Sequence, residues 1–201
     1  QTIIFEQHSH TAVITLNRPE VLNAVNSQLC AEVGAALETV ANDTSIRVVI
    51  ITGAGSKAFC VGADLKAVAA GEFGSEEQAG EWGFAGICKH YINKPIIAAV
   101  NGLALGGGTE IVLATDIVVA SESASFGLTE VTLGLIAGAG GILRLPRQIP
   151  EKIAARMIFE GEAMSAAEAA KWGLVNEVVP ADEVMANAMA IAEKIASNSP
   201  V

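Results

Sequence analysis

Apolar and polar positions near the start of the chain predict two strands and a helix. "TIIFEQ" and "TAVITLN" are predicted to form a hairpin, joined through His8 to His10. The segment "SQLCAEVGAALETVAND" carries apolar residues at helical spacing, and Asn26 or Ser27 is placed to cap its first turn.

Three later segments are apolar and rich in β-branched residues, which is typical of strands buried in a parallel sheet. They are "IRVVIITGAG", "KPIIAAVNG" and "TDIVVASESASFG". Between the first two, "SEEQAGEWGFAGICKHYIN" (residues 75–93) is predicted to form a helix. Alternating strands and helices indicate an α/β fold with parallel pairing. The recurrence of strand, glycine turn and helix also indicates a coiled stack of similar units.

From Ile136 onward the pattern is mostly helical. Helices are predicted from "IAGAGGILRLPRQI", "PEKIAARMIFEG" and "SAAEAAKWG", and "LVNEVV" is predicted to be a short strand. A final helix, "ADEVMANAMAIAEKIASN", is expected to be capped at Asp182 or nearby. No change of composition divides the chain, so a single domain over residues 1–201 is expected.

The composition and net charge of the chain indicate which kinds of binding partner are unfavourable. The chain has 22 acidic and 12 basic residues and a formal charge of −10, which argues against nucleic acid and anionic membrane surfaces as partners. Cys30, Cys60 and Cys88 have no metal-binding spacing and are odd in number, so a reduced, cytoplasmic setting is expected. Neither a signal peptide nor an apolar run long enough to span a membrane is predicted.

Several catalytic motifs are missing from the sequence. It has no GxGxxG, no P-loop and no GxSxG elbow. The histidines, His8, His10 and His90, are few and scattered, so neither a Ser-His-Asp triad nor a histidine metal site is expected. Any chemistry is therefore expected from carboxylates and backbone groups.

The first candidate is "GGGTEIVLATD", which follows a predicted buried strand and opens a helix. Glycines at such a junction leave free N–H groups at the helix N-terminus, where an oxyanion could sit. The alternative is that they only permit close packing. Glu110 puts a carboxylate in an apolar turn with no Lys or Arg within a helical turn, which costs several kcal/mol unless the group is paired. The alternative for Glu110 is stabilisation by the helix dipole.

The second candidate is Glu130, which stands alone in a stretch without other charges from Ser123 to Leu143. Together with Glu110 it forms a candidate acid/base pair, because burial and mutual repulsion would raise at least one pKa. The alternative is a glutamate on a surface loop.

The third candidate is "SKAFCVGADLK", which follows another predicted buried strand. The Ala63 N–H could be a second oxyanion donor, and Asp64 could cap a helix that starts there. Lys57 and Lys66 could reach phosphates, or they could simply be solvated charges.

Together these stretches resemble the crotonase superfamily, the enoyl-CoA hydratase/isomerase family, from about Ile3 to Pro200. Its landmarks stand in the expected order as "LNRPEVLNAV", "KAFCVGADLK", "KPIIAAVNGLALGGGTEI", "ASFGLTEVTLGL", "GAGGILRLPR" and "SAAEAAKWGLVNEVV". The resemblance implies a spiral of ββα units with a helical C-terminal region. It also implies that this single domain lacks the family's last C-terminal helices, which help to form trimers.

The resemblance further implies an acyl-CoA thioester as the substrate, with no cofactor besides the coenzyme A of that substrate and no metal. A homotrimer or a dimer of trimers is implied. The backbone amides of Ala63 and Gly107 would form the oxyanion hole. The residues implied to line the path of the CoA and acyl groups are Ala24, Ala58, Ala63, Asp64, Leu65, Lys66 and Gly107.

The two glutamates that mark hydratases in this family fall on Glu110 and Glu130. The implied reaction adds water across the double bond of a 2-enoyl-CoA, with Glu130 as the proton donor to the α-carbon. One alternative is a Δ3-Δ2 enoyl-CoA isomerase, which needs only one base. Another is a non-catalytic relative that binds acyl-CoA or RNA, although the acidic charge disfavours RNA.

Within the family, "DLKAVAAGE", "WGFAGI" and "GGILRLP" resemble the carnitinyl-CoA dehydratase (crotonobetainyl-CoA hydratase) branch. Its substrate has a trimethylammonium group, for which the aromatic rings of Trp82, Phe84 and Tyr91 are candidate partners; core packing is the alternative. Thr129 and Ala137 replace prolines that are common in the family, so a looser loop around Glu130 is expected.

Overall fold

The computed structural model describes residues 1–71 and 80–199. Two sheets and a set of helices pack around two clusters of buried apolar residues, the smaller of which lies between the larger sheet and the last helix. The strands are β1 Ile3–His8, β2 Thr11–Leu16, β3 Val48–Gly53, β4 Ala58–Cys60, β5 Ile96–Val100, β6 Leu103–Leu105, β7 Ile117–Ser121, β8 Ser125–Gly127, β9 Met164–Ser165 and β10 Glu177–Val179. The helices are α1 Ser27–Asn42, α2 Leu65–Ala69, α3 Gly107–Leu113, α4 Gly141–Gln148, α5 Glu151–Glu160, α6 Ala166–Trp172 and α7 Val184–Ala196. Short 3₁₀ turns span Pro19–Val21, Phe84–Gly86 and Glu130–Leu133.

The larger sheet has the strand order β1-β2-β3-β5-β7-β10. The predicted hairpin is present, with β1 and β2 antiparallel, and all the other neighbours in this sheet are parallel. Every residue of β3 and β5 is buried, because neighbouring strands flank them and other elements cover both faces. That explains why their sequences are continuously apolar and do not alternate.

The smaller sheet, β4-β6-β8-β9, supplies the second strand of each repeated unit. Strands β4, β6 and β8 each follow a strand of the larger sheet and pair parallel with one another. The first two are followed by α2 and α3, and the third by the 3₁₀ turn Glu130–Leu133. The predicted stack of similar ββα units is therefore observed, and the parallel pairing brings the ends of three units to one edge of this sheet.

Several local predictions need correction. The helix predicted over residues 75–93 lies partly outside the described residues, since 72–79 are not described. Residues 80–93 form only the short turn Phe84–Gly86, because Gly80, Gly83 and Gly86 have positive φ and interrupt helical geometry. The third apolar segment forms two strands, β7 and β8.

The predicted cap of α1 is confirmed, whereas no side-chain cap forms at the start of α7 near Asp182. Asn26 caps α1, since its side chain accepts a hydrogen bond from the Leu29 amide. In the last helix, α7, Ala188, Ala192 and Ala196 recur on one buried face, which packs on β3 and β5. Among the described residues, none of the helices has the length and apolar character needed to span a bilayer.

Candidate active site

A cavity of about 680 Å³ lies at the edge of the smaller sheet, where the three repeated units end. Its walls come from the loops after β4, β6 and β8 and from the segment around Phe84. Eight of the nine residues predicted to act on or bind the substrate line it. They are Ala24, Ala63, Asp64, Leu65, Lys66, Gly107, Glu110 and Glu130.

Two backbone amides that border the cavity are directed away from other backbone acceptors. Val25 and Ala63 form a parallel bridge in which the Gly62 carbonyl accepts from Val25 and the Asp64 amide donates to Val25. The Ala63 N–H therefore points to the other side. Gly107 is the first residue of α3, where an N–H has no partner within its helix. The two amides could both donate to one ligand oxygen.

The three consecutive glycines before Glu110 are required by close approaches. A Cβ on Gly107 would lie 2.4 Å from the Phe84 ring, and a Cβ on Gly108 would lie 1.9 Å from the Cys60 carbonyl oxygen. Gly106 has a φ of +52°, and a Cβ there would lie 3.2 Å from a Glu130 carboxylate oxygen. The glycines therefore permit close packing, and Gly106 and Gly107 also border the cavity, while the oxyanion role stays a prediction.

Glu110 lies in the first turn of α3 with only 3% of its surface exposed. Its Oε1 accepts a hydrogen bond of 2.8 Å from the Gly141 amide. Burial raises the pKa of Glu110 from 4.5 to about 7, and the nearby Glu130 carboxylate acts in the same direction. The amides of Gly141 and Ala139 and the charge of Arg144 partly offset this rise. The carboxyl group is therefore balanced between its two protonation states near neutral pH.

Glu130 begins the 3₁₀ turn that follows β8. Its Oε2 is buried and has no hydrogen-bond partner among the described residues. Burial also raises the pKa of Glu130, against a smaller opposing effect of its own backbone amide. A buried carboxyl oxygen without a partner favours the protonated form, which can donate a proton to a ligand in the cavity.

Asp64 caps α2 as predicted, accepting hydrogen bonds from the amides of Lys66 and Ala67. Its other oxygen accepts a hydrogen bond of 2.9 Å from Arg18. Burial acts to raise the pKa of Asp64, but the contacts with Arg18 and these amides lower it overall. Through these contacts of both carboxylate oxygens, Asp64 holds the loop carrying Ala63 in place, and its predicted contact with the substrate stays a prediction.

Some of the predicted residues lie outside the cavity. Ala58 is buried in β4 and borders a smaller cavity of about 240 Å³ beside Lys57. Trp82 packs its ring against Gly34 of α1 and stacks on His90 at 5.2 Å. Tyr91 is 86% exposed and does not border the cavity.

The prediction of three aromatic partners for the acyl group is therefore wrong for Trp82 and Tyr91, and Phe84 alone of the three lines the cavity. These two predictions failed because the helix predicted for this segment does not form. The irregular turns of this segment point the three rings in different directions.

Two cations, a turn and a rim of apolar residues were not predicted from the sequence. Lys89 and Gly138 to Ala139 line the cavity, and Arg144 acts on Glu110 from the start of α4. The "GAGG" of residues 138–141 was a visible signal for the turn, since backbone amides are what a buried carboxylate needs. The exposed apolar side chains that line the cavity are Leu65, Val68, Leu133, Leu135 and Ile136.

The turn that carries Glu130 is held by local hydrogen bonds. The Thr129 carbonyl accepts from both the amide and the hydroxyl of Thr132, and the Glu130 carbonyl accepts from the Leu135 amide. Ala137 is buried in the core at the end of the same loop. The looser loop expected from the absence of two prolines stays a prediction.

Residues 6–201 match the sequence profile of the family described as enoyl-CoA hydratase/isomerase. The chain therefore belongs to that family. The crotonase-type α/β fold predicted from the sequence is confirmed, since solved structures of similar proteins superimpose on it over nearly their whole shared length.

Relatives named carnitinyl-CoA dehydratase are among those most similar in sequence. The protein of that name from Proteus mirabilis (strain HI4320) is 44% identical over 189 residues, which cover 94% of this chain and 72% of the relative. The one from Escherichia coli (strain K12) is also 44% identical over 189 residues.

Two solved structures show the same likeness. A carnitinyl-CoA dehydratase from Mycobacterium avium 104 superimposes with a TM-score of 0.96 at 53% identity, covering 99% of this chain and 78% of that one. An enoyl-CoA hydratase from Mycobacterium tuberculosis H37Rv gives 0.93 at 41% identity, covering 99% of this chain and 77% of that one. The resemblance to the carnitinyl-CoA dehydratase branch is thus confirmed.

Proposed function

We propose that this protein is an enoyl-CoA hydratase, a lyase that adds water across the 2,3-double bond of a 2-enoyl-CoA thioester. The observation that carries the proposal is the meeting of Glu110 and Glu130 in one cavity with the amides of Ala63 and Gly107. Burial raises the pKa of both carboxyl groups, which makes the pair suited to taking up one proton and giving another near neutral pH.

In the proposed reaction, ionised Glu110 accepts a proton from a water molecule as its oxygen bonds to the β-carbon. Protonated Glu130 delivers its proton to the α-carbon. The thioester oxygen becomes enolate-like in between, and the amides of Ala63 and Gly107 stabilise it. Each such donor typically contributes about 10² to 10³ in rate, and general acid–base help contributes about 10² to 10⁴.

Hydration is tested by following the loss of the enoyl thioester absorbance with crotonyl-CoA. The wild type should turn over. Glu110→Gln and Glu130→Gln should not, although they bind the substrate. Full turnover by both variants would rule out this mechanism. A Δ3-Δ2 isomerase would instead convert a 3-enoyl-CoA and retain most of its rate in one of the two variants, and a non-catalytic acyl-CoA-binding protein would bind without turnover.

We propose that the CoA moiety runs along the loop Ala63–Lys66, with Ala24 beside it and Lys66 near the phosphates. Coenzyme A belongs to the substrate, and no separate cofactor or metal is part of the proposal. For Ala58 a contact with CoA remains a prediction, and it would have to be made from the rim beside Lys57. Replacing Lys66 with Ala should raise the KM for crotonyl-CoA and leave kcat unchanged.

For the acyl group we propose crotonobetainyl-CoA, on the strength of the relatives named carnitinyl-CoA dehydratase. Phe84 can offer its ring to the trimethylammonium group, a contact worth about 1 kcal/mol or more once desolvated. Phe84→Leu should therefore lower kcat/KM for crotonobetainyl-CoA about fivefold relative to crotonyl-CoA. Equal losses for both substrates would argue against this acyl group.

We also propose a homotrimer or a dimer of trimers in the cytoplasm. Exposed apolar side chains gather on the 3₁₀ turn, the residues just after it, α4 and α5, and α5 contacts both α4 and the turn. All three cysteines are buried and free, as a reducing compartment allows. Light scattering of the wild type and Phe159→Glu would test the assembly. The exposed apolar residues of this face are Val131, Leu133, Leu135, Ile136, Ile142, Leu143 and Phe159.

A further inference from the structure

The turn that binds Glu110 is itself held by a guanidinium group. Arg144, in α4, donates from Nη1 to the Ala139 carbonyl at 3.1 Å and from Nη2 to the Cys88 carbonyl at 2.6 Å. We propose that Arg144 is a positioning residue for Glu110: it ties the turn 138–141 to the segment that carries Phe84. The inference rests on the proposed hydratase function, since it assigns Arg144 a task in that site.

The first contact acts directly on the neighbourhood of Glu110. Ala139 and Gly141 belong to the same turn, and the Gly141 amide donates to Glu110 Oε1 at 2.8 Å. Gly140 lies between them with a φ of +115°, and a Cβ there would lie 2.0 Å from Nη1 of Arg144. The glycine therefore leaves room for the guanidinium beside the turn, and the guanidinium in return stabilises the conformation that aims the Gly141 amide at Glu110.

The second contact acts on the opposite wall of the cavity. The Cys88 amide donates to the Phe84 carbonyl, so a guanidinium bound to the Cys88 carbonyl also restrains the short turn that carries Phe84. A planar fork with several fixed donors suits two carbonyl groups from different segments, whereas a lysine ammonium would hold its donors less firmly in this arrangement. Arg144 thus connects the wall that holds Glu110 with the wall that carries the ring.

The charge of Arg144 gives the proposal a distinctive readout. The charges that act on Glu110 are those of Glu130 in the 3₁₀ turn and Arg144 in α4. Glu110 in turn raises the pKa of the Cys88 thiol, and the other charged groups that line the same cavity are Asp64, Lys66 and Lys89. Burial and Glu130 raise the pKa of Glu110, and Arg144 lowers it. Replacing Arg144 with a neutral residue should therefore raise the pKa of Glu110 further. A variant that only destabilised the fold would not shift this pKa.

The test compares Arg144→Gln, Arg144→Lys and a matched control, Arg147→Gln, which removes an exposed arginine from the same helix. The first measurement is kcat/KM for crotonyl-CoA across pH, whose acidic limb reports the ionisation of Glu110 in the free enzyme. The second is a ¹³C-carboxyl NMR titration of glutamate-labelled protein, with the Glu110 signal assigned from Glu110→Gln. The titration needs folded protein but no turnover.

Arg144→Gln should move both the acidic limb and the NMR midpoint upward by about half a pH unit or more and lower kcat about tenfold. Arg144→Lys should keep the midpoint close to that of the wild type yet lower kcat several-fold, because it retains the cation without the two-carbonyl contact. Arg147→Gln should change neither. Midpoints unchanged in Arg144→Gln, or full activity in both Arg144 variants, would overturn the proposal; an inactive wild type would instead overturn the proposed function.

Discussion

Glu110 and Glu130 face the same cavity from two differently built regions. The start of α3 is buried, packed closely against β4, and fastened to the turn 138–141 through the Glu110 carboxylate. The Glu130 turn lies nearer the surface, and one oxygen of its carboxyl group has no protein partner among the described residues. One carboxyl group is thus held by the protein, and the other is left available to a ligand.

This difference in surroundings is the basis on which the proposed reaction gives the two residues different roles. Accepted hydrogen bonds and the charge of Arg144 favour the ionised form of Glu110 against the effect of burial. Glu130 receives less of this help and is less buried; burial raises its pKa as well, and its unpartnered oxygen belongs to a residue that lines the cavity. Because the two groups interact, the measured ionisation constants will belong to the pair.

The largest expected effect tests whether both regions are catalytic. Glu110→Gln and Glu130→Gln should each lower kcat for crotonyl-CoA by about 10² to 10⁴, since each removes one proton transfer. The absorbance assay measures this, with Glu122→Gln, a change at an exposed site after β7, as the control. A large loss in only one of the two variants would break the proposed division of roles.

The next largest effect concerns how much each buried carboxyl group, once ionised, lowers the free energy of unfolding. Since burial raises the folded-state pKa of Glu110 to about 7, the unfolded chain ionises first as pH rises. The wild type should therefore lose up to ~3 kcal/mol of unfolding free energy between about pH 4.5 and pH 7 relative to Glu110→Gln. Urea unfolding at about pH 4 and pH 8 measures this.

In the same experiment Glu130→Gln should gain less stability at about pH 8, because Glu130 is less buried. An equal gain for the two variants would show that the surroundings of the two groups do not differ as described.

A smaller effect compares the packing of the two regions. Gly108→Ala should destabilise the protein by about 2 kcal/mol or more, because its methyl group would overlap the Cys60 carbonyl. Gly134→Ala, in the Glu130 turn, has open space but a φ of +70° and should cost only about 1 kcal/mol. Gly138→Ala, with no such constraint, is the control for thermal unfolding. A Gly108 variant as stable as this control would contradict the close packing of α3 on β4.

The smallest effect concerns the flexibility of the Glu130 turn. Thr129 has a φ of −90°, close to the range of proline, so Thr129→Pro should add about 0.5 kcal/mol of stability and raise kcat slightly. Thr132→Ala, which removes the hydroxyl bond to the Thr129 carbonyl, should have the opposite effect. If neither variant changes the melting temperature or kcat, the absence of proline at position 129 does not loosen the turn.

Much of the architecture could be predicted because apolar periodicity and burial are closely linked. Strands β3 and β5 can be recognised in the sequence as continuous apolar runs rich in β-branched residues. Asn26 and Asp64 can be recognised as helix caps because each directly precedes a helix. Strands such as β4 and β6 are only three residues long and carry no periodic signal, so they could not be recognised from their own residues. The predicted helix around Trp82 failed because three of its glycines have positive φ, and one of them, Gly86, packs against the backbone of α1.

The sequence by itself determined the family, the parallel α/β fold and the two carboxylates, since these depend on residue types in a characteristic order. Only the tertiary structure decided what surrounds each carboxylate. The Gly141 amide and Arg144 are more than 30 residues from Glu110 in the chain, yet they act directly on it. The tertiary structure likewise turned Trp82 and Tyr91 away from the cavity and left Phe84 in it. The physical reason is that hydrogen bonds, burial and charge act over a few ångströms in space, whatever the separation along the chain.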